Sequence, residues 1–189
     1  MKTAVVVVDM VKDNLELSAH PRLAERCQAI VPAVNRLLAG ARQRGWPVVF
    51  ATDSFLPGDF LFGGRMKEHS LRGTEGAEVS GLLEQKPGDV WLPKRRLSAF
   101  YKTDLDQTLR LWGVERVAAC GLMTNFCVLA TALDAISHDF RAVLVEDASA
   151  AHKDELHTGC LDLYRSNPLA PLFQVQTVAQ LLAGDGEGA

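Results

Sequence analysis

Gly121-Leu122-Met123-Thr124-Asn125-Phe126-Cys127-Val128 follows an apolar run over residues 114–120 and leads into a helical pattern that continues to residue 137. The run reads as a buried strand, so this octapeptide spans a strand-to-helix junction, the repeating joint of α/β folds. Cys127 falls at the first turn of the helix. There the unpaired amide hydrogens and the positive end of the helix dipole favour a thiolate. A thiolate is the form of cysteine that attacks carbonyl carbon. One stretch of chain thus points to a fold class and to a candidate nucleophile.

The pattern repeats on either side. Residues 3–8, 47–52, 89–92, 142–146 and 172–175 form further short runs rich in apolar residues. They are largely apolar instead of alternating, as strands covered on both faces are. Helical patterns fall at residues 22–44, 77–83, 104–112, 125–137, 153–164 and 178–182. The alternation predicts a three-layer αβα fold: a six-stranded parallel sheet with helices on both faces and right-handed crossovers. Pro32 is expected to kink or divide the first long helix. Gly45 and Gly113 stand where left-handed residues end helices, and Thr103 with Asp106 resembles a capping box. A single domain over residues 1–183 is expected, with the small polar tail 184–189 disordered.

Composition narrows the function classes. The chain has 189 residues, 48% hydrophobic and 23% charged, with a net charge of −3. That balance offers no basic face for nucleic acid, and no apolar run reaches membrane-spanning length. The four cysteines show no disulfide or metal spacing. Met1-Lys2-Thr3 leads into an apolar run too short for a secretory signal. Reduced thiols in a cytoplasm follow as the expectation.

Ligands of open parallel sheets bind beyond the carboxyl ends of the strands. Those ends deliver Asp9, Asp53, Lys94, Cys127 and the Glu146-Asp147 pair. Asp9 is suited to take the thiol proton and return it to a leaving amine, and Lys94 to hold Asp9 and Cys127 in register. Each has a plainer reading. A strand-end aspartate often serves a turn, a lone lysine is usually solvated, and a cysteine is often a small buried hydrophobe. Cys27, Cys120 and Cys160 take that last reading, and His157 and Tyr164 read as structural helix residues.

Val5-Val6-Val7-Val8-Asp9-Met10, then Leu92-Pro93-Lys94 with Ser98-Ala99-Phe100, then residues 121–128, resemble the three signatures of the isochorismatase-like cysteine hydrolases. The resemblance spans residues 4–175 and implies a Rossmann-like six-stranded parallel sheet. It also implies an Asp–Lys–Cys triad, here Asp9, Lys94 and Cys127. A non-proline cis peptide, matching Leu122-Met123, would turn the backbone amides of Met123 and Cys127 toward an oxyanion. Members hydrolyse small amides and ureido compounds such as nicotinamide, N-carbamoylsarcosine, biuret and ureidoacrylate, as homodimers or homotetramers. True isochorismatases carry glycine at the nucleophile position, so Cys127 favours amide chemistry.

Departures from the family pattern matter as well. Nicotinamidases resemble Asp-x-His plus a later His, which bind a metal. Here the stretch is Asp53-Ser54-Phe55, and only His69 matches the later histidine. Asp53 and His69 are thus the candidate metal ligands, with Asp59 or Glu68 able to complete a weak site. No cofactor is expected to be required, and a divalent metal such as zinc would be weakly held. The alternative for His69 is a loop histidine bonded to backbone. Asp9-Met10-Val11-Lys12-Asp13-Asn14 lacks the aromatic that nicotinamidase-like members carry, and Asn125 stands where aspartate is common. Phe55, Phe60, Phe62, Phe100 and Asn125 are the candidate substrate-binding residues, and the long loop over residues 53–76 is expected to shape the pocket. The leading reading is a small-molecule amide or ureido hydrolase. Nicotinamidase proper is the alternative. A non-catalytic binding subunit and a haloacid-dehalogenase-type phosphatase stand further off, the latter because Val11 replaces its second aspartate.

Overall fold

The computed structural model describes residues 1–184. Its six strands are β1 (Thr3–Val8), β2 (Val48–Asp53), β3 (Val90–Lys94), β4 (Arg116–Leu122), β5 (Arg141–Ala150) and β6 (Phe173–Gln176). They form one sheet in the order β3-β2-β1-β4-β5-β6, every pairing parallel. The helices are α1 (Lys12–Leu15), α2 (Pro21–Ala29), α3 (Val31–Gln43), α4 (Leu105–Leu111), α5 (Leu129–Ser137), α6 (Asp154–Arg165) and α7 (Val178–Ala183).

Alternate residues of β1 feed two cores. Val5 and Val7 pack with Leu37, Leu38 and Leu181 from α3 and α7. Ala4, Val6 and Val8 pack with Leu109, Ala132 and Leu161 from α4, α5 and α6. A strand apolar on both faces must be covered on both, which is what the unalternating sequence required. The strand order reverses between β1 and β4, making their carboxyl ends the topological switch point. Asp9 and residues 123–127 emerge there.

Gly121 makes that junction possible. Its φ is 107°, and a Cβ at this position would lie 2.2 Å from the Val8 carbonyl oxygen. Neither the backbone angle nor the approach of β4 to β1 admits a side chain.

As expected, the long first helix is divided, at Ile30, with Pro32 in the first turn of α3. Several other local expectations need correction. No helix forms over residues 77–83. Only a 3₁₀ turn, Glu75–Ala77, occurs, after which Val79 forms an antiparallel bridge with Val11. Lys12 pairs with Glu75 and Glu78, and the Ser80 hydroxyl donates to Glu16, so tertiary contacts override the local pattern. The Thr103–Asp106 capping box is not formed. The Thr103 hydroxyl accepts from the Leu105 amide, and Asp106 pairs with Arg110 instead. A complete capping box stands at α7, between Thr177 and Gln180. Gly184, assigned above to the tail, caps α7 through its amide to Gln180. The rest of the expected disordered tail, residues 185–189, lies outside the described residues.

Gly121→Ala combines a disallowed φ with a backbone clash. It is expected to lower stability by about 3 kcal/mol, read by denaturant unfolding.

Candidate active site

Asp9 leaves β1 with a φ of 52°, in the left-handed region that few side chains adopt. The turn is held from outside, because the Asn14 side-chain amide donates to the Asp9 carbonyl at 2.9 Å. Both carboxylate oxygens of Asp9 are engaged. Oδ1 accepts from the Asp53 backbone amide at 2.7 Å, and Oδ2 from Lys94 Nζ at 2.9 Å. Lys94, at the end of β3, also donates to Asp53 Oδ1 at 2.6 Å, and its side chain has no exposure. Three adjacent strands, β1, β2 and β3, therefore meet at one buried ammonium.

Cys127 arrives from the other side of the switch point. The Leu122-Met123 peptide is cis, as the resemblance implied. The chain then enters a π-helical turn, Thr124–Val128, before α5. The Met123 carbonyl accepts from the amides of Phe126 and Val128. The Cys127 sulfur and the carboxylates of Asp9 and Asp53 lie within 4.8 Å of one another.

Electrostatics set the resting protonation. Burial, and then the Asp53 carboxylate, raise the Asp9 pKa to about 6, against the pull of Lys94. Burial opposes charge on Lys94, but the carboxylates of Asp9 and Asp53 outweigh it and the ammonium is strengthened. Burial pushes the Cys127 thiol well up, and the Asp9 carboxylate adds to this while Lys94 opposes it. The expected helix-stabilised thiolate is corrected accordingly. Burial thus favours the thiol form of Cys127, beside a carboxylate within 4.8 Å of its sulfur.

The metal ligands predicted from sequence are not brought together as a site. The Phe55 ring packs 5.5 Å from the His69 ring, and Phe62 completes the aromatic cluster. His69 Nδ1 lies 3.0 Å from the Lys67 carbonyl oxygen. Asp59 is buried and paired with Arg95 and Arg96, and Glu68 accepts from the Gly58 amide. Among the described residues, the group of donor atoms near enough to share a metal is Asp9, Asp53 and Cys127. His69 is outside it, and Lys94 already contacts both carboxylates. These residues do not fit a zinc site of the Asp-x-His type.

The other predicted residues separate in space. Phe55 is buried beside Asp53, and Phe62 is half-buried. Phe60 is 81% exposed on the loop. Phe100 is largely buried. It is stacked on His138 at 5.0 Å and near Phe140, in the core at the far end of α5. Its ring is thus occupied in core packing, in the same apolar cluster as Cys127. Asn125 is half-buried, and its Oδ1 is buried without a hydrogen-bond partner. Glu146 pairs with Arg165, and Asp147 accepts from the Val178 amide, so neither reaches the triad. Sequence reading missed Asn14, the lysine-holding role of Asp53, and a hydrogen bond between His157 and Thr124. No local pattern marks any of them.

A doubly wound α/β protein with a buried carboxylate, lysine and cysteine at its switch point has the layout of an enzyme site. The Isochorismatase domain model matches residues 3–178, and the chain belongs to that family. A relative from Arabidopsis thaliana named probable inactive nicotinamidase is 33% identical over 166 residues, covering 82% of this chain and 84% of its own. The structure of N-carbamoylsarcosine amidase from Thermoplasma acidophilum superposes with a TM-score of 0.78 at 33% identity, covering 94% of this chain and 97% of that one. Pyrazinamidase of Pyrococcus horikoshii, solved in complex with zinc, gives a TM-score of 0.81 at 29% identity over 94% and 99%. The family is one of isochorismatase-like hydrolases with amidase members, and the six-stranded sheet matches theirs. Membership also removes the phosphatase reading.

Lys94→Met would leave two buried carboxylates without a counter-charge. A loss of about 3–5 kcal/mol is expected at pH 7 in denaturant unfolding. Without the ammonium the Asp9 carboxyl rises above its native value of about 6, so the loss should begin to shrink as the pH falls from 7 through 6.

Proposed function

We propose that this protein is a cysteine hydrolase of a small-molecule amide or ureido C–N bond. The observation that carries the reading is the buried cluster in which Asp9 accepts from Lys94 and lies within 4.8 Å of the Cys127 sulfur. Asp9 takes the thiol proton as Cys127 sulfur bonds to the substrate carbonyl carbon. The amides of Met123 and Cys127 hold the resulting oxyanion. Asp9 then protonates the leaving nitrogen, the C–N bond breaks, and ammonia or an amine departs from a thioester. Water attacks the thioester, Asp9 takes its proton, and the acid leaves as the proton returns to sulfur. Lys94 stays protonated throughout, fixing the carboxylate and favouring negative charge on sulfur.

Phe55, Phe62 and the loop bearing Phe60 wall the substrate, and the unpaired oxygen of Asn125 is free to accept an N–H. Asp53 serves Lys94 in place of a metal. The reaction therefore needs no metal, and a divalent ion would have to compete with the ammonium. The loss of the metal-binding pattern at Phe55 favours carbamoyl or ureido substrates over nicotinamide. A second reading, a catalytically silent binding subunit, draws support from the same substitution and from the relative named as inactive.

Ammonia release should be assayed with N-carbamoylsarcosine, ureidoacrylate, biuret, nicotinamide and pyrazinamide. Cys127→Ala is expected to lower turnover of the accepted substrate at least about a thousandfold. Native rates in that variant would overturn the mechanism, and no release from any compound would favour the binding subunit. Activity should be equal with and without chelator.

The base must be ionised to act. A raised Asp9 pKa therefore places the acid limb of the kcat/KM profile near pH 6, about two units above an ordinary aspartate. A limb near pH 4 would remove Asp9 from the role of base.

A further inference from the structure

Thr124 opens the π-helical turn that carries Cys127, three residues before the sulfur. Its side chain is fully buried. Helix α6 holds it at two points. His157 Nδ1 lies 2.8 Å from Thr124 Oγ1, and the Cys160 thiol approaches the Thr124 carbonyl at 3.8 Å. His157 and Cys160 are one turn apart, so the same face of α6 supplies both contacts. Thr124 also follows Met123, whose amide is one of the two proposed oxyanion donors.

We infer that His157 is a positioning residue, which fixes the nucleophile turn through the Thr124 hydroxyl and so aligns Cys127 with Asp9. The inference rests on the hydrolase reading above. It assigns work to a helix that supplies none of the proposed reacting groups. A hydroxyl in a buried position needs a partner, and this one binds the turn to a separate element. The turn itself is of the rare i→i+5 kind, with the Val128 amide donating to the Met123 carbonyl at 3.3 Å. An external anchor at its first residue restricts the shift that such a turn allows. Misplacement of a reacting group by even 1 Å can cost on the order of a hundredfold in rate.

The chemistry of His157 suits the part. The imidazole is half-buried, and burial lowers its pKa against the pull of Glu146 and Asp154, with Arg165 also lowering it. A neutral ring presents Nδ1 as an acceptor for the Thr124 hydroxyl hydrogen, with the other ring nitrogen carrying the proton. The ring then makes a directed bond, not a charge, at the turn.

The test is a double-mutant cycle on the full chain with two readouts. One is ammonia release from whichever of N-carbamoylsarcosine, ureidoacrylate or nicotinamide the native protein hydrolyses fastest. The other is the rate of iodoacetamide alkylation at Cys127, followed by peptide mass spectrometry, which needs no substrate. Thermal unfolding checks that each variant is folded. His157→Ala and Thr124→Val, which keeps the shape and removes the hydroxyl, should each lower kcat about tenfold with KM little changed. Each should also slow alkylation several-fold. The double variant should be no worse than either single one, because both remove one bond. His157→Asn, whose side-chain amide reaches the place of Nδ1, should recover most of the loss. Multiplying losses in the double variant, or folded single variants within twofold of native by both readouts, would overturn the inference. A dead Cys127→Ala beside a native-like His157→Ala sinks the positioning role and leaves the hydrolase reading standing. An active Cys127→Ala sinks the hydrolase reading itself.

Discussion

A buried ammonium held between two carboxylates organises this site. Lys94 Nζ donates to Asp9 at 2.9 Å and to Asp53 at 2.6 Å, with no solvent at the lysine side chain. Removing one of these charges leaves the others in a low-dielectric pocket without compensation, which costs several kcal/mol. The cluster therefore locks the carboxyl ends of β1, β2 and β3 together. It also fixes the carboxylate that the Cys127 thiol meets. Stability and proposed chemistry share the same atoms.

The excess of carboxylate over ammonium has a chemical consequence. Burial, and then a second acid beside it, raise the proton affinity of Asp9, which makes it a better base than an isolated aspartate. A thiol kept protonated by burial needs such a base close by, because neither the helix start nor Lys94 ionises it unaided. Asp53, expected from the sequence as a metal ligand, accepts from the lysine. The two histidine positions of the metal-binding pattern still meet in space, but as Phe55 packed on His69.

Most of the architecture was legible in the chain because parallel strands leave a strong mark. A run such as Ala4-Val5-Val6-Val7-Val8 is apolar at every position only when both faces are covered, and the two cores sort its residues by parity. That Asp9, Lys94 and Cys127 would gather was legible because they stand at or just past strand ends that the topology brings together. Features made by distant contacts were not. Residues 77–83 carry a helical pattern, but Lys12, Val11 and Glu16 draw them into an extended path. Phe100 reads as a pocket aromatic from its place near Lys94, yet it turns into the core toward His138. His157 reads as an ordinary helix residue, because its partner Thr124 is 33 positions away.

The central claim is that Cys127 sulfur carries the acyl group between loss of the amine and attack by water. Acid quenching of the enzyme during turnover, followed by intact-mass and peptide analysis, tests it most directly. The account predicts an adduct of acyl mass on the peptide containing Cys127, decaying as product forms. Turnover with no adduct at any quench time, or with the adduct on another residue, would contradict it.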